Sequence, residues 1–156
     1  MNKKLYLIVL FYSVFGWSQN WERSLSKENW RVQKFSDNVW SKAHVPGTIH
    51  TDLFLNHQIE DPFYGNNEKQ LQWIEEQYWV YETKFSISKK ELTAQNKELV
   101  FYGLDTDATV YLNDSLVLEA NNMFRTWRIP INKFIQIGKN TLRVEFESSS
   151  QKAKKT

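Results

Sequence analysis

The chain has 156 residues, 41% of them hydrophobic and 24% charged, and a formal net charge of +2. This is the size and composition of one globular domain. The absence of cysteine excludes disulfides and thiolate metal sites, and His44, His50 and His57 are spaced too loosely for a zinc motif on one element. We therefore expect no metal site and no cofactor.

The first eighteen residues are typical of a secretory signal peptide. A short basic lead, residues 2–4, precedes an apolar run from Leu5 to Trp17 that is too short to span a bilayer. Gly16 and Ser18 then supply the small residues that a signal peptidase reads, which predicts cleavage between Ser18 and Gln19. The alternative is a buried strand or helix at the N-terminus.

Removal of this signal leaves residues 19–156 as one domain without net charge. The signal carries two of the 20 Lys and Arg residues and none of the 18 acidic ones. A neutral domain has no electrostatic basis for binding nucleic acid, so we expect no such partner. We expect an exported protein, periplasmic or secreted, that is not held at a membrane once the signal is cleaved.

Helical patterns are scarce along the chain. "TIHTDLFLN" (48–56) predicts a short helix that begins near Thr48, after Pro46 and Gly47. "NEKQLQWIEEQ" (67–77) predicts a second one, with its apolar residues on one side and its glutamates outward.

Period-two patterns dominate the rest. In "WVYETKFSI" (79–87), Trp79 and every second residue after it form an apolar face. The alternate residues, from Val80 onward, should be exposed to solvent. "ELVFYGL" (98–104) is apolar on both faces, which predicts a strand deep in a sheet. The alternation in the first of these stretches is typical of an antiparallel strand with one face exposed to solvent.

The second half of the chain predicts a hairpin and two more strands. "DATVYLN" and "LVLEA" surround Asn113-Asp114-Ser115, and a tight turn is expected there because Asn and Asp tolerate positive φ. "RTWRIPI" (125–131) reads as a strand that Pro130 places at an edge or an end. "TLRVEFES" (141–148) should point Leu142, Val144 and Phe146 inward, after a turn at Gly138-Lys139-Asn140.

Four glutamates lie among aromatic residues in "NNEKQLQWIEEQYWVYETKF" (66–85), as in a sugar-cleaving site. A retaining glycosidase needs two carboxyl groups about 5 to 5.5 Å apart. Glu75 and Glu76 are neighbours on a predicted helix and diverge by about 100°. Glu82 lies on the wet face of its strand and Glu68 in a polar loop. We therefore predict no catalytic residue in this chain.

Two long stretches carry a family resemblance. "VPGTIHTDLFLNHQIEDPFYGNNEKQLQWIEEQYWVYETKF" (45–85) resembles the N-terminal region of β-mannosidases of glycoside hydrolase family two, and "LVFYGLDTDATVYLNDSLVLEANNMFRTWRIPI" (99–131) resembles the segment that follows it. The first stretch carries strings specific to the mannosidases. The second is similar to galactose-binding-like jelly rolls more widely, and it has Asn113-Asp114 where Asn-Gly is usual.

The resemblance implies a fold and a parent enzyme. The fold is an all-β antiparallel sandwich, a galactose-binding-like jelly roll, here expected to be incomplete at its C-terminal end. Family members continue into immunoglobulin-like domains and a TIM barrel that carries both catalytic glutamates. The expected parent is an exported retaining exo-β-mannosidase, which hydrolyses terminal β-D-mannose residues, and this domain would brace the barrel and its sugar pocket.

The same resemblance implies substrate-adjacent residues. Loops of the first domain form part of the pocket rim in the family, so we expect Asn67 and Glu68 near the sugar, with Trp73 as their packing support. The alternative is that Asn67 caps the second helix and Glu68 occupies its first turn. The expected partners are β-mannosides, the barrel and the immunoglobulin-like domains. A purely structural domain and, behind it, a stand-alone carbohydrate-binding module are the rival interpretations of this chain.

Overall fold

The computed structural model describes residues 22–148 and Ser150. The predicted signal peptide and its cleavage point lie outside the described residues. The strands are β1 Arg31–Lys34, β2 Ser41–Lys42, β3 Trp79–Ile87, β4 Glu98–Phe101, β5 Ala108–Leu112, β6 Ser115–Ala120, β7 Trp127–Pro130 and β8 Gly138–Phe146. The helices are α1 Ile49–Leu55, α2 Asn67–Gln70 and α3 Lys89–Leu92, with 3₁₀ turns at Leu25–Lys27 and Gln72–Ile74.

The described strands form two antiparallel sheets around one core. The larger sheet has the order β2-β1-β3-β8-β5-β6, and β4 pairs with β7 in the smaller one. Leu99 of β4 and Ile129 of β7 belong to the same buried cluster as Val110 of β5 and Leu142 of β8. The two sheets therefore bury one apolar layer, which confirms the predicted all-β antiparallel sandwich.

The long pairing of β3 with β8 forms the centre of the larger sheet. Nine residue pairs run from Trp79 opposite Phe146 to Ile87 opposite Gly138. Leu142 and Val144 are buried as predicted, and Phe146 is half-buried with its ring edge against Tyr81, 5.7 Å between centroids. Burial of one such aliphatic side chain stabilises the fold by about 2 kcal/mol.

Two details of this pairing differ from the prediction. Val80 is buried on the face expected to be wet, because it lies between Gln33 of β1 and Glu145 of β8, whose longer side chains flank it. Gly138 begins β8 instead of forming a turn, although its φ of +83° marks the bend that leads into the strand.

The prediction that residues 98–104 lie deep in a sheet is wrong in part. Leu99 and Leu104 are buried, but β4 ends at Phe101 and Tyr102 is 70% exposed. Pairing of β4 with β7 alone is described, so it lies in a two-stranded ribbon. An apolar run indicates burial but not the number of neighbouring strands, which depends on non-local pairing. Pro130 is the last residue of β7, as predicted.

The two predicted helices agree with the structure to different degrees. α1 begins directly after Thr48, as predicted, and the Thr48 side chain caps it by accepting a hydrogen bond from the Thr51 amide at 3.2 Å. The single helix predicted over 67–77 is instead α2 followed by a 3₁₀ turn, with the break at Leu71. Leu71 and Ile74 are both buried, and the tighter turn brings these two side chains onto one side of the segment.

The predicted hairpin is present between β5 and β6. Its two loop residues, Asn113 and Asp114, have φ values of +50° and +63°. The Asn113 side chain donates to the carbonyl oxygen of Phe134 and to the Asn140 side chain, and it accepts from the Thr141 amide at 2.9 Å. The turn is therefore tied to the loop that leads into β8.

Candidate functional site

One end of the sandwich collects the loops that precede β3 and follow β8. The register places the last residue of β1, Lys34, opposite the first residue of β3, Trp79. Ala108, the first residue of β5, lies opposite both Phe146 and Ala120, the last residues of β8 and β6. The connections 102–107 and 121–126 pass between the two sheets at this same end. We call it the loop end.

Four large exposed apolar side chains lie next to strand termini at the loop end. They follow or precede its strand termini: Phe35 after β1, Tyr102 after β4, and Met123 and Phe124 before β7. At the opposite end, the large exposed apolar side chains next to strand termini are Leu116 and Ile137. The loop end is therefore the more apolar end of the described residues.

Asn67 and Glu68 are the first two residues of α2, in the segment that leads toward β3. Asn67 is half-buried and its Nδ2 donates to the Asp61 carbonyl oxygen at 2.8 Å. Asn66, not Asn67, occupies the position that caps α2, and no side-chain capping bond is made there. The alternative that Asn67 caps the helix is therefore wrong, because its side chain bridges the loop instead. Glu68 is exposed in the first turn of α2.

Trp73 lies in the 3₁₀ turn after α2 and is 40% exposed. Its ring contacts that of Trp79, with centroids 6.3 Å apart and planes tilted by 49°. The Trp79 Nε1 donates to the Ile74 carbonyl oxygen at 3.0 Å, which attaches the turn to the start of β3. Trp73 is thus held by Trp79, and its role as support for Asn67 and Glu68 stays a prediction.

The four glutamates of residues 66–85 are not paired with one another by any described contact. Glu82 is bound by Arg31, with 2.6 Å between its Oε1 and the guanidinium, and the Lys84 ammonium lies 3.9 Å away. Glu75 and Glu76 are exposed on the turn before β3. Glu82 therefore belongs to a salt-bridged strand face, and Glu75 and Glu76 belong to an exposed turn.

Asp52 is a buried carboxylate that the sequence did not single out. It is 0% exposed and accepts hydrogen bonds from the His44 amide at 2.9 Å and from the Tyr81 hydroxyl at 3.0 Å, with His44 Nδ1 at 3.1 Å. Burial, reinforced by the Asp52 charge, raises the pKa of Tyr81 well above its usual value. This network joins α1 to β3 and to the segment before the helix. Two features of the sequence could have indicated this network: an Asp in the first turn of a capped helix, and the inward position of Tyr81 on its strand.

The described part of the chain holds no group of three or more His, Cys, Asp or Glu side chains arranged to bind a metal ion. None of its helices is long and apolar enough to cross a bilayer.

Comparison with known proteins relates the chain to glycosidases. Residues 30–156 match the family model described as glycosyl hydrolase 2 galactose-binding domain-like. A probable β-mannosidase of Caenorhabditis elegans is 33% identical over 127 residues, which cover 81% of this chain and 14% of that protein. β-Mannosidase B of Aspergillus terreus is 35% identical over 131 residues, 80% of this chain and 15% of the relative.

Solved structures give the same relationship. The crystal structure of β-D-mannosidase from Dictyoglomus thermophilum is 37% identical with a TM-score of 0.79, covering 81% of this chain and 16% of that one. The exo-chitosanase CsxA of Amycolatopsis orientalis is 19% identical with a TM-score of 0.68 over 78% of this chain and 16% of its own, a likeness of fold alone. The chain thus spans about one-seventh of the length of its curated relatives.

Proposed function

The chain belongs to the glycosyl hydrolase 2 galactose-binding domain-like family, and from this membership we propose that it is the N-terminal domain of an exported retaining exo-β-mannosidase. The observation that carries the proposal is the 37% identity to a β-D-mannosidase whose matching region has the same fold. The proposed parent cleaves terminal β-D-mannose residues, and its catalytic carboxylates lie outside this chain.

The proposed role of this domain is to brace the catalytic barrel. Phe35, Tyr102 and Phe124 are 61%, 70% and 88% exposed at the loop end. Large exposed aromatic side chains are typical of surfaces that pack against another domain or protein. In the proposed parent, the loop end packs against the barrel and supports the wall of its sugar pocket.

A decisive experiment compares the chain with the proposed parent. The DNA downstream of the Thr156 codon would contain, in a continuing frame, the barrel of the parent. That parent should hydrolyse an aryl β-mannoside with retention of the anomeric configuration, observed by NMR of the first-formed product. This chain alone should hydrolyse none. A parent that cleaves an aryl β-glucuronide but no β-mannoside, or that inverts the anomer, would contradict the proposal.

Export has its own test. Intact-mass measurement of the periplasmic or secreted protein should give a mature chain that begins at Gln19. A chain that still begins at Met1 would contradict the proposed export with cleavage.

Asn67 and Glu68 are proposed to lie near the sugar in the parent. Glu68 is the better residue to substitute than Asn67, because its side chain is exposed and its substitution removes no packing. Glu68→Gln in the parent should lower kcat/KM on a β-mannoside and leave Tm nearly unchanged. The matched control is Glu75→Gln, an exposed glutamate in the same segment. Equal kcat/KM for Glu68→Gln and wild type would contradict the pocket-rim position.

A second candidate function is suggested by Trp73, which keeps 40% of its surface exposed beside Trp79. A tryptophan face of this kind can stack on a sugar ring, as in a carbohydrate-binding module.

A further inference from the structure

A depression of about 260 Å³ lies beside Trp73 and Trp79. Its floor includes the buried side chain of Leu53, and its polar lining includes Gln33, Lys34 and Asp37. We propose that this depression binds the pyranose ring of a neutral sugar. Binding here uses residues of this chain alone, so it does not depend on the catalytic role proposed above.

The two tryptophans supply the first part of the argument. Trp79 is buried and fixed by its hydrogen bond to the Ile74 carbonyl oxygen, and Trp73 packs on it while its ring stays 40% exposed. A pyranose has one face of C–H groups, which packs against an aromatic face without losing the hydrogen bonds of its hydroxyls. Because Trp73 is already held by Trp79, little side-chain freedom remains to be lost on binding.

The polar lining supplies the second part. The Gln33 Oε1 is a buried acceptor that has no hydrogen-bond partner within the described residues. Such an acceptor is costly to leave unsatisfied, and a small rotation of the half-buried Gln33 side chain would bring it to a ligand hydroxyl. Lys34 Nζ and Asp37 Oδ2 lie 3.4 Å apart and add one donor group and one acceptor group.

Charge and size define the class of sugar. The lining holds one cation and one anion, Lys34 and Asp37, which pair with each other, so it leaves no unpaired charge to bind an acidic or a basic sugar. The volume lies just below the roughly 300–1,000 Å³ of pockets for drug-sized ligands, which suits a single sugar ring. A neutral hexopyranoside meets both conditions, and a uronic acid would place its carboxylate beside Asp37.

The test is binding of methyl β-D-mannoside to the full 156-residue chain, measured by saturation-transfer NMR and by titration of tryptophan fluorescence. We expect a Kd near the millimolar range and weaker binding of methyl β-D-glucuronide. Trp73→Ala should weaken binding by about tenfold through loss of stacking. The matched control is Phe124→Ala, which removes an aromatic ring that is 88% exposed and does not line the depression.

A second variant separates binding from folding. Gln33→Met keeps the length of the side chain and removes the unpartnered acceptor, so it should weaken binding while Tm stays level or rises. Absence of mannoside binding would overturn the proposal. It would equally be overturned by binding that Trp73→Ala and Gln33→Met leave unchanged, or by glucuronide binding as tight as that of mannoside. None of these outcomes bears on β-mannosidase activity in the parent, which is measured separately.

Discussion

At the scale of single residues, Asp52 carries the largest predicted contribution to stability. Asp52→Ala removes the acceptor of the Tyr81 hydroxyl and the His44 amide and leaves both donors near a cavity. We expect a loss of about 3 kcal/mol in the free energy of unfolding. Urea denaturation measures this loss.

Two tyrosine variants provide the comparison for Asp52. Tyr81→Phe should cost about 1 to 2 kcal/mol, because the buried carboxylate loses one donor. Tyr102→Phe should cost less than about 0.5 kcal/mol, since its hydroxyl bonds Glu22 at 3.2 Å on the exposed surface. Similar losses for both tyrosines would show that burial of the network contributes nothing.

Gly47 is required by a close backbone approach. A Cβ at this position would lie 2.4 Å from the His44 carbonyl oxygen, in the turn that leads into α1. Gly47→Ala should therefore destabilise the protein by about 2 kcal/mol or more, measured by thermal unfolding. Gly65→Asn is the comparison variant: Gly65 has φ +61°, which Asn adopts more readily than other non-glycine residues, and open space around it, so its change should cost less than about 1 kcal/mol. Equal Tm values for Gly47→Ala and wild type would contradict the close approach.

At the scale of elements, the turn of the β5–β6 hairpin contains two residues with different roles. Asn113 combines φ +50° with three side-chain hydrogen bonds, and Asn113→Ala should cost about 2 kcal/mol. Asp114 has φ +63°, and Asp114→Gly should raise stability by up to about 1 kcal/mol because glycine has no Cβ to strain. Chemical denaturation of both variants tests the pair, and destabilisation by Asp114→Gly would contradict this account of the turn.

The capping box of α3 predicts a pH dependence. Hydrogen bonds from Ser88, then the Arg23 charge, hold the pKa of Glu91 below its usual value of 4.5. A carboxyl group with a lowered folded-state pKa stabilises the fold above its unfolded pKa, and this contribution is lost as pH falls through the folded value. Wild type should thus exceed Glu91→Gln in unfolding free energy at pH 7, and the difference should shrink below about pH 4.5.

The control for this pH series is Glu75→Gln, an exposed glutamate outside any capping box. Its difference from wild type should change less with pH than that of Glu91→Gln. A Glu91→Gln difference that grows as the pH falls would contradict the assigned direction of the pKa shift.

At the scale of the whole molecule, the loop end predicts self-association of the isolated chain. Phe35, Tyr102 and Phe124 expose most of their surface there, and the isolated chain has no partner domain to cover them. Serine at these three positions should raise the concentration at which the chain associates by about tenfold, as measured by sedimentation velocity. Leu116→Ser with Ile137→Ser changes the opposite end and should have a smaller effect. An equal effect of the two sets would contradict the assignment to the loop end.

Local patterns predicted the elements whose determinants lie within a few residues. Thr48 marks the start of α1, Asn113 and Asp114 form the hairpin turn, and Leu142 and Val144 point inward, because capping, positive φ and period-two alternation each act over short distances. The burial of Val80 was missed because it depends on its neighbours across β1 and β8.

The candidate site was predicted less completely than the fold. The segment with Asn67, Glu68 and Trp73 was selected from its composition and its resemblance to the family, but the break at Leu71 and the hydrogen bond from Asn67 to Asp61 depend on how the loop folds back. The Asp52 network joins residues 29 positions apart, and the depression beside Trp73 unites β1 with the turn before β3. Such contacts between distant segments leave no periodic signal in the sequence.

The sequence by itself determined the all-β class, the turn chemistry and the family, because these follow from local propensity, alternation and extended similarity. The tertiary structure alone decided which strands pair, so that β4 joins β7 in a narrow ribbon while β3 lies at the centre of six strands. It also decided which polar groups are buried, as for Asp52 and the Gln33 amide. The physical reason is that hydrogen-bond pairing and desolvation depend on groups far apart in the chain, whose positions are set by the fold as a whole.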